Sequence, residues 1–417
     1  MNYGIRIDRH LIRPAGGSVR YALVSIVAPE APPKKNREPL HLALVLDRSG
    51  SMGGPKIVLA REAVRLALQS LKPADRFSLV AYDDQIEVVV ESVPATAEAR
   101  RNALAKLAGI DSRGSTDLHG GWAAGCTQLA EHLGAADVGR CLLLTDGLAN
   151  VGIDDPAQLL SLAGAARREG RIATSTFGVG ADFDERLLRG MADASGGRFY
   201  FIERPAQIPD LLTSELGELL QVVARDACLT LQLPKGVEAA PLNALETTEV
   251  TGGVQIRLGD LVSGQQLDVV VALKFPAGHA GDTIAVQFSL SDRDGALSAP
   301  PRALGWSYAA ARSLQGQPRD LIVDRAVARL YAARARDEAL ELNREGKFRE
   351  ARARLEKTAQ RILGYAGDDG ELKKVAEELR AEAADYGREM DQMTRKQRHF
   401  QTYSIQKDRM PDGKARR

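Results

Sequence analysis

The 417-residue chain is longer than one ordinary domain and predicts two or three. Its hydrophobic fraction of 44% supports a sizeable buried core and argues against disorder. With 56 basic against 55 acidic residues the formal net charge is +1, which leaves no global field for nucleic acid or an anionic membrane surface.

Residues 1–36 read as β structure. Gly4 to Arg13 alternates, Ser18 to Val27 (SVRYALVSIV) is a strand run, and Gly16-Gly17 punctuates between them. The proline- and charge-dense stretch APEAPPKKNREP reads as a linker. Over residues 37–224 strands and helices alternate. His41 to Leu46 is a short apolar run, as a strand buried on both faces requires. Pro55 to Leu71 has apolar residues at helical spacing, with Pro55 suited to a first turn. Strands then follow at Phe77–Tyr82, Cys141–Thr145, Ile172–Gly178 and Arg198–Ile202. Helices are predicted at Glu98–Leu107, Leu118–Leu133, Pro156–Arg168, Glu185–Ala194 and, closing the domain, Ile208–Val223. This order predicts an α/β fold with a doubly wound, mostly parallel sheet.

Over residues 225–312 the helical pattern gives way to alternating runs at Cys228–Leu233, Val254–Leu258, Leu267–Phe275 and Thr283–Ser291, the signature of an all-β sandwich. The two N-terminal strands are expected to complete it, which makes the α/β domain an insertion. Residues 313–394 form a C-terminal α-helical region, with turns expected at Gly346-Lys347-Phe348 and Gly364. Within it, EALELNREGKFREARARLEKTAQ resembles a single tetratricopeptide-type hairpin. Residues 395–417 read as a basic, frayed, solvated tail. Cys126, Cys141 and Cys228 are odd in number and lack CxxC spacing; Cys126 and Cys141 read as core thiols, and a reducing compartment is expected. The N-terminus has no signal-type apolar region and the chain has no span-length apolar run, so a cytoplasmic protein without a membrane span is expected.

Three separated stretches carry the chemistry: DRSGSM at 47–52, RGSTDLHGG at 113–121 and LLLTDGLAN at 142–150. Two of them follow strongly apolar strands, and loops at strand carboxyl ends line the crevice of an open α/β sheet. Asp47, Ser49, Ser51, Thr116 and Asp146 can therefore meet at one spot. Two carboxylates and three hydroxyls make an all-oxygen donor set suited to Mg²⁺, with Mn²⁺ or Ca²⁺ as alternatives. Each residue also has a plainer reading: Asp47 to Ser51 as a helix-capping turn, Thr116 as the cap of the helix at Leu118, Asp146 as a turn aspartate before Gly147. Asp117 reads as a capping or rim residue, Asp83-Asp84 as a solvated turn and Asp154-Asp155 as a helix start. His119 reads as a packing or rim residue, and no catalytic residue is assigned.

These motifs resemble the von Willebrand factor type A family in its bacterial form, over about residues 38–224. The resemblance implies a metal-ion-dependent adhesion site with Ser49, Ser51 and Thr116 as direct ligands and Asp47 and Asp146 acting mostly through water. It leaves a sixth position for a partner's Asp or Glu carboxylate. Arg48, where many extracellular members carry a small residue, and Arg113 are expected to rim the site and attract an acidic partner. The outer order of elements is loosely similar to inter-alpha-trypsin inhibitor heavy chains. Bacterial members imply an AAA+ ATPase or a kinase/phosphatase system as the neighbouring machinery.

The leading expectation is a metal-dependent protein-binding adaptor or assembly module. A structural scaffold built on the helical tail is the alternative. A metal-dependent hydrolase or phosphotransferase is disfavoured, because no P-loop, HExxH or paired nucleophile and base occurs. The closing helix at Ile208–Val223 is expected to run directly into the sandwich and to report metal occupancy to it.

Overall fold

The computed structural model describes residues 2–31, 39–134, 137–297 and 299–417, so most of the linker expected at 28–39 lies outside the described residues. The chain opens with β1 (Asn2–Ile7), β2 (Leu11–Ile12) and β3 (Ser18–Val27). The α/β section follows as β4 (His41–Asp47), α1 (Pro55–Ser70), β5 (Arg76–Tyr82), β6 (Ile86–Pro94), α2 (Ala97–Leu107) and α3 (Leu118–Ala130). It continues with β7 (Gly139–Thr145), α4 (Pro156–Arg168), β8 (Ile172–Val179), α5 (Glu185–Ser195), β9 (Phe199–Ile202) and α6 (Ile208–Leu219). Next come β10 (Val222–Gln232), β11 (Glu238–Pro241), β12 (Thr247–Val250), β13 (Gly253–Val262), β14 (Gln266–Phe275), β15 (Thr283–Ser291) and β16 (Arg302–Tyr308). The last elements are α7 (Ala311–Gln315), α8 (Leu321–Arg344), α9 (Phe348–Ala366), α10 (Gly370–Tyr386) and α11 (Gln392–Gln406).

Two compact units result. One holds β4–β9 and α1–α6 together with Asp391–Phe400; the other holds β1–β3, β10–β16, α7–α10 and Gln401–Arg417. In the α/β unit the strand order is β6-β5-β4-β7-β8-β9. All neighbours are parallel except the β5–β6 hairpin. Every residue of β4, β7 and β8 is buried, which is why these strands read as continuous apolar runs. The edge strand β6 was not expected from the sequence. Its first three residues and Glu91 are exposed, so it offers no continuous apolar run.

The other unit is a sandwich with helices. Its sheets run β1-β3-β14-β11 and β12-β13-β10-β15-β16-β2. β3 pairs antiparallel with β14 over ten positions from Gln266↔Val27 to Phe275↔Ser18, so the chain leaves this sheet after β3 and rejoins it more than two hundred residues later. The core between the sheets includes Trp306 and Phe275, fully buried with ring centroids 5.0 Å apart. In the helical part, Leu340, Leu355, Ile362, Leu379 and Tyr386 make one core shared by α8, α9 and α10.

Several boundaries differ from expectation. The helix expected to reach Val223 stops at Leu219, and Val222 and Val223 already belong to β10. Gly364 lies inside α9; the turn falls at Gly367, whose φ of +53° suits glycine. The tail expected to be frayed from Arg395 instead forms α11. Lys396 is buried there, donating to the Phe183 carbonyl at 2.5 Å and to Glu185 at 2.8 Å, while Phe400 packs edge-on against Phe199. A basic run reads as solvated until a buried carboxylate is found to receive it.

Candidate metal centre

β4 ends at Asp47 and β7 at Thr145, and the two are parallel neighbours in the middle of the sheet. β5 lies on the far side of β4, so the chain winds in opposite directions from this point, and the crevice of a doubly wound sheet opens here. Asp47 is fully buried and shapes the first loop. Its Oδ1 accepts the Ser49 amide at 2.7 Å and its Oδ2 accepts the Thr145 hydroxyl at 2.6 Å. That bend brings Ser49 Oγ within 3.1 Å of Ser51 Oγ, which in turn donates to Asp146 Oδ1 at 2.6 Å. Lys56, in the first turn of α1, places its ammonium on Asp146 Oδ2.

The second loop is tied to the first through backbone. Arg113 N donates to the Arg48 carbonyl at 2.7 Å and Gly50 N to the Gly114 carbonyl at 3.1 Å. Gly114 has φ +69°, and a Cβ there would lie 2.3 Å from Asp84 Oδ1, so the approach requires glycine. Asn150 clamps this loop to the third: its Oδ1 accepts the Thr116 amide at 2.9 Å and its own amide donates to the Thr116 carbonyl at 3.2 Å. Thr116 is buried, and its hydroxyl has no protein partner among the described residues. A Cβ on Gly147 would lie 3.1 Å from Thr116 Oγ1 and 3.7 Å from Ser51 Oγ, so both hydroxyls border the same glycine. Behind the loop, α3 sits on the sheet through Gly121 and Gly125, where a Cβ would come within 2.3 Å of the Tyr82 ring and 2.4 Å of Val45.

The structure therefore brings Asp47, Ser49, Ser51, Thr116 and Asp146 to one crevice. Burial pushes the Asp47 carboxyl up to about 6, against the hydrogen bonds from Thr145 and Ser49 that favour its charged form, and the nearby Asp146 adds to the rise. Two fully buried carboxylates are faced by one partly exposed ammonium, an imbalance that a bound cation offsets. Among the described residues no group of three or more His, Cys, Asp or Glu side chains is placed to hold a metal, so any metal here depends on hydroxyl oxygens as well as carboxylates.

The rim residues behave differently from one another. Arg48 is buried rather than exposed, with Nη1 2.6 Å from Glu87 and Nε 3.4 Å from Asp83, so its charge is already met within the domain. Arg113 is half-exposed and donates to Asp83 Oδ2 at 2.7 Å. Asp117 caps α3 by accepting the Gly120 amide at 2.8 Å, a role that Thr116 does not take. Asp155 caps α4 through the Gln158 amide at 2.9 Å. Asp83, read as part of a solvated turn, is fully buried; besides receiving both arginines, its carbonyl accepts the Asp117 amide at 2.8 Å. It thus joins the first and second loops. The signal available in the sequence was the pair of arginines flanking the motifs, which needed a buried acid between them. Asn150 and Lys56 carried no such signal.

Strand order, the crevice at the switch point and the way three loops lock together define a domain of the von Willebrand factor type A class. Residues 41–214 match the family model for the von Willebrand factor type A domain, and the chain carries that domain. Among known proteins it is similar to YfbK of Escherichia coli, 30% identical over 188 residues that make 45% of this chain and 32% of that one. It is 31% identical over 197 residues to human inter-alpha-trypsin inhibitor heavy chain H4, covering 46% of this chain and 21% of that one. The chain thus spans about a third or less of the length of these two relatives. A solved von Willebrand factor type A protein from Catenulispora acidiphila aligns over 91% of this chain and 96% of its own, with TM-score 0.70 and 19% identity; it shares the fold of both units. Domains of this type point to protein–protein interaction or adhesion and commonly bind a divalent metal. Among the described residues no helix is long and apolar enough to cross a membrane.

Proposed function

We propose that this chain is a protein-binding module in which a divalent cation, held by Ser49, Ser51, Thr116 and Asp146 with Asp47 behind them, receives an Asp or Glu carboxylate of a partner protein. The observation that supports it most is the Thr116 hydroxyl, which has no protein partner among the described residues and lies beside Ser51, itself bonded to Asp146. A hydroxyl oxygen that no protein group holds is available to a hard cation at this point. The all-oxygen donor set fits Mg²⁺, with Mn²⁺ or Ca²⁺ also compatible. When bound, the metal supplies a Lewis-acid position for a carboxylate.

The protein's own residues fix everything else. Asp47 holds the Ser49 amide and the Thr145 hydroxyl, so the first loop is set before any ligand arrives. Asp83 sets the second loop against it, and Asn150 ties the second loop to the third. Partner choice then rests on the surrounding loop surface, where Arg113 is half-exposed, while Arg48 serves the interior. Non-enzymatic work as an adaptor or assembly factor, intracellular action and service beside an AAA+ ATPase or a kinase/phosphatase system belong to the same proposal.

The test is calorimetric titration of Mg²⁺ and Mn²⁺ into the full chain, followed by capture of partners with and without chelator. Metal binding that is lost in Ser49→Ala, with partners released by chelator, supports the proposal. Partners retained equally by chelated and metal-loaded protein favour a scaffold, in which assembly runs through the helical region.

A further inference from the structure

The sandwich unit contains a cavity of about 280 Å³ where β3 faces α8 and α9. One wall is aromatic. Tyr21 of β3 and Tyr331 of α8 meet edge to face, centroids 6.1 Å apart, with their hydroxyls 2.9 Å from each other. One hydroxyl proton serves that bond, and the other remains free to donate. Tyr365 of α9 completes the wall, and its hydroxyl has no protein partner among the described residues. Burial pushes the Tyr365 hydroxyl up to about 12 and that of Tyr21 well above the ordinary phenol range, so both are neutral donors at physiological pH.

The facing side is cationic, and its charge is only partly met. Arg319 is engaged bidentately by Asp324 at 2.5 and 2.7 Å, Arg9 by Asp8 at 3.3 Å, and Arg354 is paired with Glu338. Lys357 and Arg361, one turn apart on α9, have no carboxylate within ion-pair distance among the described residues. Arg361 lies with its guanidinium 5.3 Å from the Tyr331 ring centroid, and Arg319 4.8 Å from that of Tyr365. Stacking on rings orients guanidinium groups at the cavity instead of leaving them to sweep through solvent.

Two unmatched cations beside neutral hydroxyl donors call for an anion of about two charges, which is what a phosphomonoester carries near neutral pH. Arginine forks and ammonium groups are the usual recognition elements for that group. The volume lies near the lower end for ligand sites, which run from about 300 Å³ upward, and so selects a small molecule rather than a peptide. We propose that this cavity binds a small organic phosphomonoester bearing one planar ring system, of nucleoside monophosphate size, with the phosphate at Lys357 and Arg361 and the ring against the tyrosine wall. The site is separate from the metal-binding loops and does not depend on their function.

The experiment is calorimetric titration of the full chain with adenosine monophosphate, with adenosine and inorganic phosphate as partial probes. The expected result is binding of the nucleotide, with each partial probe weaker by at least about tenfold, a loss worth about 1.4 kcal/mol. Both cations are exposed, so the double variant Lys357→Met/Arg361→Gln should fold, as circular dichroism will check, and should bind the nucleotide at least about tenfold more weakly. Ser51→Ala should bind it as the parent does. No nucleotide binding at millimolar concentration, or unchanged binding by the double variant, overturns the proposal. Inorganic phosphate binding as tightly as the nucleotide overturns the role given to the tyrosine wall.

Discussion

The Ser51 hydroxyl donates a 2.6 Å hydrogen bond to Asp146 Oδ1, joining side chains 95 positions apart. It links the loop after β4 to the loop after β7, and both residues belong to the proposed cation site. Removing the hydroxyl in Ser51→Ala should cost about 1 kcal/mol of stability in metal-free protein and weaken Mg²⁺ binding by more than about tenfold. Urea unfolding and calorimetry read the two effects separately. Full metal affinity in this variant would remove Ser51 from the ligand set.

Asp47 is expected to separate folding from metal binding. Its carboxylate is fully buried, and its charged form is disfavoured by that burial. In Asp47→Asn the side-chain oxygen can still accept the Ser49 amide, and the new amide can donate to Thr145. Metal-free stability should therefore be unchanged or raised, while metal affinity falls by more than about tenfold for loss of the charge. A thermal melt with and without Mg²⁺ checks both parts, and a variant that still gains stability from Mg²⁺ as the parent does would contradict them.

Asp83 should matter to the fold more than either arginine that it receives. Asp83→Ala leaves the buried Arg48 with only the exposed Glu87 and should cost about 3 kcal/mol. Arg113→Ala removes a half-exposed partner and should cost far less than Asp83→Ala. Chemical denaturation of the two variants compares them directly, and equal costs would mean that Arg48 is held by Glu87 alone.

Gly125 allows α3 to rest on β4. A methyl group there would come within 2.4 Å of Val45, so Gly125→Ala should destabilise by about 1–3 kcal/mol, despite the better helix propensity of alanine. Since α3 follows directly from the Thr116 loop, metal affinity should fall with it. A stabilised variant would show that the helix can lift without cost.

Lys396 and Glu185 form a buried pair between α11 and α5, with Arg395 4.0 Å from the same carboxylate. Lys396→Ala should cost about 3 kcal/mol by taking the nearest buried cation from Glu185, whereas Lys396→Met with Glu185→Leu should cost less than the single change. A double-mutant cycle by denaturant unfolding measures the coupling, and additive effects would show that the pair contributes nothing.

The pattern of residues was enough to determine most elements. β3 and β15 were read to the residue, because alternation broken by glycine and proline has few other solutions, and the apolar runs of β4 and β7 marked the central strands of a parallel sheet. The meeting of the five candidate residues at one crevice was also legible, since hydroxyls and carboxylates directly after buried strands have a position fixed by topology. Partnership was not. Arg48 and Arg113 look alike in sequence, and only the fold turns one inward onto Asp83 and Glu87 and leaves the other at the surface. The basic run from Arg395 likewise becomes an ordered helix because a buried glutamate from α5, far away in sequence, receives Lys396. Local periodicity decides what a segment can bury, whereas the cost of burying a charge depends on a neighbour that only the tertiary structure supplies.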